Sequence, residues 1–362
     1  MAPWDISHTA SPRSRPISAS RSSTITIGPM PQRSQSTPSI SCVIPAYNEA
    51  ASLESTLESM LATLRPLSPH IEVMVVDDGS KDDTAAIVQR MVQSNPEIVL
   101  LRLSRNFGKE AALTAGMEAA GGDLLLFVDA DGQHPPDLVE PMLQGWRDGA
   151  DVVYGVRRVR DDQSRLHRRM IKTFYRLINW GSAIDIPAGA GDFRLMDRKV
   201  VEALKALPER NRFMKGFYAW VGFRGMALDY EPLPRVQGRT HFGIKGAFRL
   251  AITGMLAFST APLRALSAIG FLLAIASLAY GGWVIFEYFY WGISAPGFAT
   301  IVVAMMFLSG IQLLSIGVLA EYVGRIYDEV KRRPIYLVSE RQGLGLGVVP
   351  APAPHSPVQA PR

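Results

Sequence analysis

A single cysteine, Cys42, stands in 362 residues, which excludes a disulfide framework and a cysteine-built zinc site. No G-x-G-x-x-G follows the first apolar run and no G-x-x-x-x-G-K-[ST] occurs. Dinucleotide oxidoreductases and P-loop enzymes thereby lose their usual phosphate cradle, and a bound nucleotide would have to be held by metal and side chains. The net charge of +5 is small. Basic and aromatic residues do not interleave as in single-strand binders, so nucleic acid is not expected. The basic residues gather beside apolar spans, an arrangement suited to a membrane surface. No internal repeat and no secretory apolar segment is present.

Residues 1–38 are rich in Ser, Pro and Arg and poor in large apolar side chains. They cannot bury enough surface to offset the entropy of ordering and are expected to be a disordered tail. Their Arg/Ser bias also resembles a transit peptide, and Met30 could equally be the start.

From position 39 the pattern changes. Apolar runs at 40–44, 71–76, 98–103, 124–128 and 152–155 read as strands, and 50–64, 81–93 and 110–120 as the helices between them. Strands alternating with helices at this spacing predict an α/β fold with a mostly parallel sheet wrapped by helices. Polar residues collect at the strand ends: Tyr47 and Glu49, Asp77 and Asp78, Asn106 and Lys109, Asp129 and Asp131, then Arg157. Open α/β sheets bind ligands at that end.

The run Leu124-Leu125-Leu126-Phe127-Val128 stops at Asp129-Ala130-Asp131-Gly132-Gln133-His134-Pro135-Pro136. Two carboxylates there suit a hard divalent ion that keeps one or two protein ligands and takes further oxygens from substrate phosphates. A solvated acidic turn is the alternative.

Together with Pro45-Ala46-Tyr47-Asn48-Glu49, Val76-Asp77-Asp78-Gly79-Ser80 and Arg105-Asn106-Phe107-Gly108-Lys109-Glu110, this motif resembles the family 2 glycosyltransferases of the GT-A fold. The likeness is to their polyprenyl-phosphate branch, which includes bactoprenol glucosyltransferases and dolichol-phosphate mannose synthases, and runs from about 39 to 340. Gly132 stands where the branch commonly has leucine.

The resemblance implies that Asp78 reads the donor base while Pro45, Tyr47 and Glu49 shape the nucleotide pocket. It implies that Asp129 and Asp131 bridge the diphosphate through Mg2+ or Mn2+, with Lys109 and Gln133 near the donor and Arg157 as an anion clamp. Lys109 could instead cover the sheet edge with its stem. Asp192, in the glycine-rich loop Gly189-Ala190-Gly191-Asp192-Phe193-Arg194-Leu195, falls at the position usually assigned as catalytic base; the alternative is a carboxylate pairing Arg194. With Asp131 and Arg157 it completes the implied catalytic set. Arg235, Arg239 and His241 fall in the loop implied to bind the lipid phosphate, where Thr240 and His241 replace the usual serine and lysine. Residues 210–225 read as an aromatic helix and turn belonging to the core.

Residues 266–286 and 296–320 carry no charge, and each is long enough to cross about 30 Å of hydrocarbon. The expected plan is a tail (1–38), a catalytic domain (39–243), an interfacial helical region (244–262), two spans at about 265–290 and 296–321, and a basic segment with a disordered tail (326–362). The connector 287–295 holds Tyr288, Phe289, Tyr290 and Trp291 and no Lys or Arg, whereas Arg249 and Arg264 precede the spans and Arg325, Lys331, Arg332 and Arg333 come after them. The positive-inside rule puts both termini and the catalytic domain on the cytoplasmic side of the inner membrane.

The activity these readings imply is a metal-dependent, inverting transfer of a hexose from a nucleotide sugar, UDP-glucose as the first choice, to polyprenyl phosphate. A homo-oligomer is compatible with this. The alternatives are a GDP-mannose-using synthase, a phosphatase with an aspartate nucleophile, and a tethered nucleotide-sugar-binding module without turnover. A processive polysaccharide synthase lacks support, since no Q-x-x-R-W occurs.

Overall fold

The structure, a computed structural model, describes Arg33 and residues 37–157, 190–210, 212–233, 261–291 and 297–346. Eight strands, β1 (Ile40–Ala46), β2 (Ile71–Asp77), β3 (Ile98–Leu103), β4 (Leu124–Phe127), β5 (Val152–Arg157), β6 (Ala190–Asp197), β7 (Gly225–Tyr230) and β8 (Val338–Gln342), form one sheet in the order β7-β5-β6-β4-β1-β2-β3-β8. The centre is parallel: β1 lies between β2 and β4, and β3 continues beyond β2. These strands read as unbroken apolar runs because helices cover both faces, leaving no polar side to alternate with.

One face packs on α1 (Leu53–Leu64), α2 (Thr84–Ser94) and α4 (Val139–Arg147). Leu53, Leu57, Met60, Leu61 and Leu64 make the buried stripe of α1, the helical spacing that turns one side inward. The other face packs on α3 (Lys109–Ala119), α5 (Arg198–Lys205) and α6 (Met214–Trp220). The expected helix at 50–64 starts later, at Leu53, because Ser52 and Leu53 donate their amides to the Glu49 carbonyl in a preceding turn.

Two segments differ from the sequence reading. The expected glycine-rich loop around Asp192 is β6, an antiparallel strand inserted between β4 and β5. It pairs Arg194 with Tyr154 but Ala190 with Val156, so β6 carries extra residues over this stretch, a bulge that re-aims the side chains between. Gly191, one of the glycines that suggested a loop, lies within that bulge. The expected tail also gives up a piece: β8 pairs antiparallel with β3 at the sheet edge. Glu72, fully buried in β2, accepts the Leu346 and Gly121 amides at 2.8 Å, so a carboxylate inside the domain holds the chain after β8.

Beyond the domain lie α7 (Ala261–Trp291) and α8 (Phe298–Lys331). At 1.5 Å per residue they reach about 46 and about 51 Å, more than a bilayer core. Both have stretches long and apolar enough to cross a membrane. Their large apolar side chains lie bare, Leu278 at 76 % and Met306 at 73 % exposure, which only an apolar solvent makes favourable. The expected connector loop is shorter than the reading from 287, since α7 continues to Trp291. Of the interfacial region expected at 244–262, residues 244–260 lie outside the described residues, and Ala261 and Pro262 begin α7.

Candidate active site

β4 ends at Phe127, and the Val128 amide still donates to the Val43 carbonyl at 3.1 Å. The next residues therefore leave the sheet at its carboxyl end, beside the ends of β1 and β2. Gly132 turns the chain with φ +69°, a conformation costly for the leucine of the resembling branch. The Gln133 amide donates to Asp131 Oδ1 at 3.1 Å, which fixes one carboxylate. His134 holds the backbone of the other: the Asp129 amide donates to His134 Nδ1 at 3.1 Å, while Nε2 stands 3.7 Å from Asp129 Oδ2, beyond hydrogen-bond reach. His134 is buried and stacks on Phe193, with centroids 4.4 Å apart and planes at 7°. Burial pushes its pKa down, so the ring is held neutral. An acceptor Nδ1 leaves the proton on Nε2.

Lys109, at the start of α3, closes the site. Its ammonium lies 2.6 Å from Asp129 Oδ1 and 2.8 Å from Asp192 Oδ2. It is neither a stem over the sheet edge nor remote from the bulge; it joins the D-x-D turn to β6. Burial opposes the charge on Asp192, but Lys109, Lys215 and Arg194 outweigh it and bring its pKa down to about 2. Arg194 is engaged otherwise, its guanidinium 3.4 Å from the Tyr218 ring centroid and its Nη2 donating to the Gly191 carbonyl at 2.7 Å. Glu110, next to Lys109, accepts the Met214 amide at 3.1 Å. Burial, and then the Asp192 charge, push its carboxyl up to about 7.

The side expected to take the nucleotide is built from the first two loops. Pro45 is the last but one residue of β1, Tyr47 is 41 % exposed, and Asn48 takes a left-handed φ of 54°. The Asn48 amide donates to Ser80 Oγ and the Glu49 amide to Thr84 Oγ1, each at 2.9 Å, stitching the loop after β1 to the loop after β2. A Cβ on Gly79, whose φ is +68°, would stand 2.6 Å from the Arg105 carbonyl carbon, so only glycine lets the second loop approach the third. Asp78 accepts the Phe107 and Gly108 amides at 2.7 and 2.8 Å. That makes it a clamp on the loop leading to Lys109. Burial raises its pKa, and the two amides partly offset this.

Residues 41–205 match the model described as glycosyl transferase family 2, and residues 261–326 match the GtrB C-terminal hairpin. An uncharacterized glycosyltransferase of Synechocystis is 45 % identical over 305 residues, which are 84 % of this chain and 96 % of the relative. This chain is a family 2 glycosyl transferase. A bactoprenol glucosyl transferase of Shigella phage SfII is 41 % identical over 83 % of this chain and 97 % of its own. A prophage bactoprenol glucosyl transferase homolog of Escherichia coli K12 is 39 % identical over 83 % and 98 %. Among solved structures the chain is similar to a mannosyltransferase from Pyrobaculum calidifontis, with a TM-score of 0.42, 19 % identity, and coverage of 80 % of this chain and 90 % of that one.

In this glycosyl transferase Arg157, the last residue of β5, donates from Nη2 to Gln133 Oε1 at 2.7 Å and from Nε to the Tyr230 hydroxyl at 3.3 Å. Arg157, Gln133, Asp131, Asp129, Lys109 and Asp192 thus share one site. Arg235, Arg239 and His241 lie outside the described residues. Sequence reasoning passed over Glu110 and His134, although both sit inside the quoted motifs, and over Tyr230, which has no local signal. Among the described residues no cluster of three or more His, Cys, Asp and Glu could hold a metal ion. The donor set nonetheless fits a hard divalent ion that arrives with a substrate diphosphate, because Asp129 and Asp131, one residue apart, would supply carboxylate oxygens and the diphosphate others.

Proposed function

We propose that this glycosyl transferase moves glucose from UDP-glucose to the phosphate of polyprenyl phosphate at the cytoplasmic face of the inner membrane. The observation that carries the reading is the Lys109 bridge between Asp129 and Asp192 at the strand ends, in a chain whose last helices are bare and apolar. The names of the relatives, bactoprenol glucosyl transferases, favour glucose and a polyprenyl acceptor. The basic residues flanking the hairpin, Arg264 before it and Lys331 to Arg333 after it, favour cytoplasmic termini.

Asp129 and Asp131 would hold Mg2+ or Mn2+, which offsets the charge of the diphosphate as it leaves. Tyr47, with Pro45 and Glu49 behind it, would floor the nucleotide, Asp78 shaping its wall. An oxygen of the lipid phosphate attacks the anomeric carbon, the bond from that carbon to the diphosphate breaks, UDP leaves, and the configuration inverts. A phosphate monoester has its second pKa near 6, so the nucleophile needs little help in losing a proton at pH 7. Asp192, down at about 2 and paired with Lys109, is a poor proton acceptor. Its work is to orient Lys109, while Arg157, Arg235, Arg239 and His241 offset the crowding of two phosphates.

The test is to incubate membranes carrying the protein with undecaprenyl phosphate and a panel of labelled nucleotide sugars. Labelled glycolipid from UDP-glucose is expected. Glycolipid from GDP-mannose alone would overturn the choice of donor, and donor binding without any glycolipid would overturn the enzyme.

A further inference from the structure

A pocket of about 320 Å3 lies where the end of α8 meets the catalytic domain, and the proposed transfer chemistry does not use it. The start of α3 contributes Glu110, the connection between α5 and α6 contributes Arg210 and Arg212, the end of α8 contributes Asp328 and Lys331, and the chain just after it contributes Arg333. The helix end is fastened there. The Arg210 amide donates to both Glu329 carboxylate oxygens, at 2.9 and 3.2 Å, and the Arg210 guanidinium donates to the Arg333 carbonyl. Arg212 is buried; its terminal nitrogens donate to the Leu204 and Leu207 carbonyls, and its Nε has no hydrogen-bond partner among the described residues. The wall carries four cations against two carboxyls, an excess of two positive charges when both acids are ionised. Glu110 belongs at once to this wall and to the Lys109 and Asp192 cluster.

Depth decides which anion fits. The uncharged stretch of α8, 298–320, is centred near Ser309. Asp328 then lies about 28 Å from the bilayer midplane at 1.5 Å per residue, or about 27 Å with an ordinary tilt of about 20°. The headgroups end at about 20–22 Å. A phospholipid phosphate stays in its plane and carries one charge as a diester. Because Glu110 belongs both to this wall and to the Lys109 and Asp192 cluster, a substrate phosphate that reaches that cluster leaves the plane, and as a monoester above its second pKa it carries two charges.

We infer that this pocket receives the phosphate of the polyprenyl acceptor after it leaves the headgroup plane and before it reaches Lys109 and Asp192. The inference rests on polyprenyl phosphate being the acceptor. Lys331 and Arg333, both exposed, are the pocket's recruiting charges, and Arg212 supplies a fixed positive wall.

The test uses the full-length protein in bilayer nanodiscs and in detergent, with Lys331→Gln, Arg333→Gln and the double variant. Undecaprenyl phosphate and a short, soluble isoprenyl phosphate serve as acceptors. Each single variant should raise the acceptor KM about tenfold for both acceptors, the scale of losing one charge-assisted contact. The KM for UDP-glucose, the turnover at saturating acceptor and the melting temperature should hold. An unchanged acceptor KM would overturn the inference. So would a rise confined to the long lipid in bilayers, which would assign these charges to membrane adhesion. Direct binding of the short isoprenyl phosphate, measured by calorimetry, separates the two readings: binding by wild type that the variants weaken, without any sugar transfer, supports the pocket and sinks the reaction.

Discussion

Replacing Asp192 with asparagine keeps the shape of the side chain and removes the charge that faces Lys109 across 2.8 Å. The structure brings the Asp192 pKa from 3.8 to about 2, and at 1.36 kcal/mol per unit the ionised form contributes about 2 kcal/mol to stability. A depressed carboxyl contributes that stability above its unfolded pKa and loses it as pH falls through about 2. Asp192 itself should therefore contribute equally at pH 6 and pH 9, and the melting difference between wild type and Asp192→Asn should narrow above pH 7 only because Glu110, whose carboxyl the Asp192 charge raises, then ionises at less cost in the variant. Catalysis should respond differently. With Lys109 no longer held from both sides, turnover should fall about 10- to 100-fold through misplacement. It should partly recover as pH rises past about 6, where the lipid phosphate gains its second charge. The assay is labelled glucose transfer at saturating donor and metal from pH 5.5 to 9, beside thermal melts of the same samples. An obligatory general base is worth about 10²–10⁴-fold. A loss at the top of that range that stays constant from pH 6 to pH 9 would refute the orienting role and restore the base.

Asp129→Asn or Asp131→Asn should abolish transfer, as should a chelator with the wild type, and full activity in excess chelator would exclude the ion. Glu110, raised from 4.5 to about 7 by burial, holds its proton more tightly folded than unfolded. The fold should thus lose stability as pH rises from about 4.5 through 7, and Glu110→Gln should melt higher than wild type at pH 8, by up to about 3 kcal/mol, and equally at pH 4; equal melting at pH 8 would show a carboxylate that ionises without cost. Phe193→Ala, which empties a fully buried site under His134, should destabilise by about 3–5 kcal/mol in chemical denaturation, and a cost below about 1 kcal/mol would mean that the stack bears no packing. Reporters fused to the two ends should both read cytoplasmic, and a periplasmic carboxyl end would overturn the two-span topology.

The sequence by itself determined the parallel centre of the sheet, because β1 to β4 are short apolar runs whose ends are marked by polar turns within a few residues. It also determined the D-x-D turn and two helices long and apolar enough to cross a membrane, whose length and lack of charge are local facts. Asp192 was legible as a residue but not as part of a strand: the glycines before it give the composition of a loop, and only pairing with β4 on one side and β5 on the other makes Ala190–Asp197 the strand β6. The strand β8 joins β3 from more than two hundred residues away, a partner that no periodicity announces. The tertiary structure alone decided that Lys109 stands between Asp129 and Asp192, that His134 rests on Phe193, and that Asp78 spends its carboxylate on two loop amides. The physical reason is one of range. Propensity and burial pattern act between neighbours in the chain, whereas a charge bridge, a ring stack or an antiparallel edge exists only after the sheet has brought distant segments to the same end.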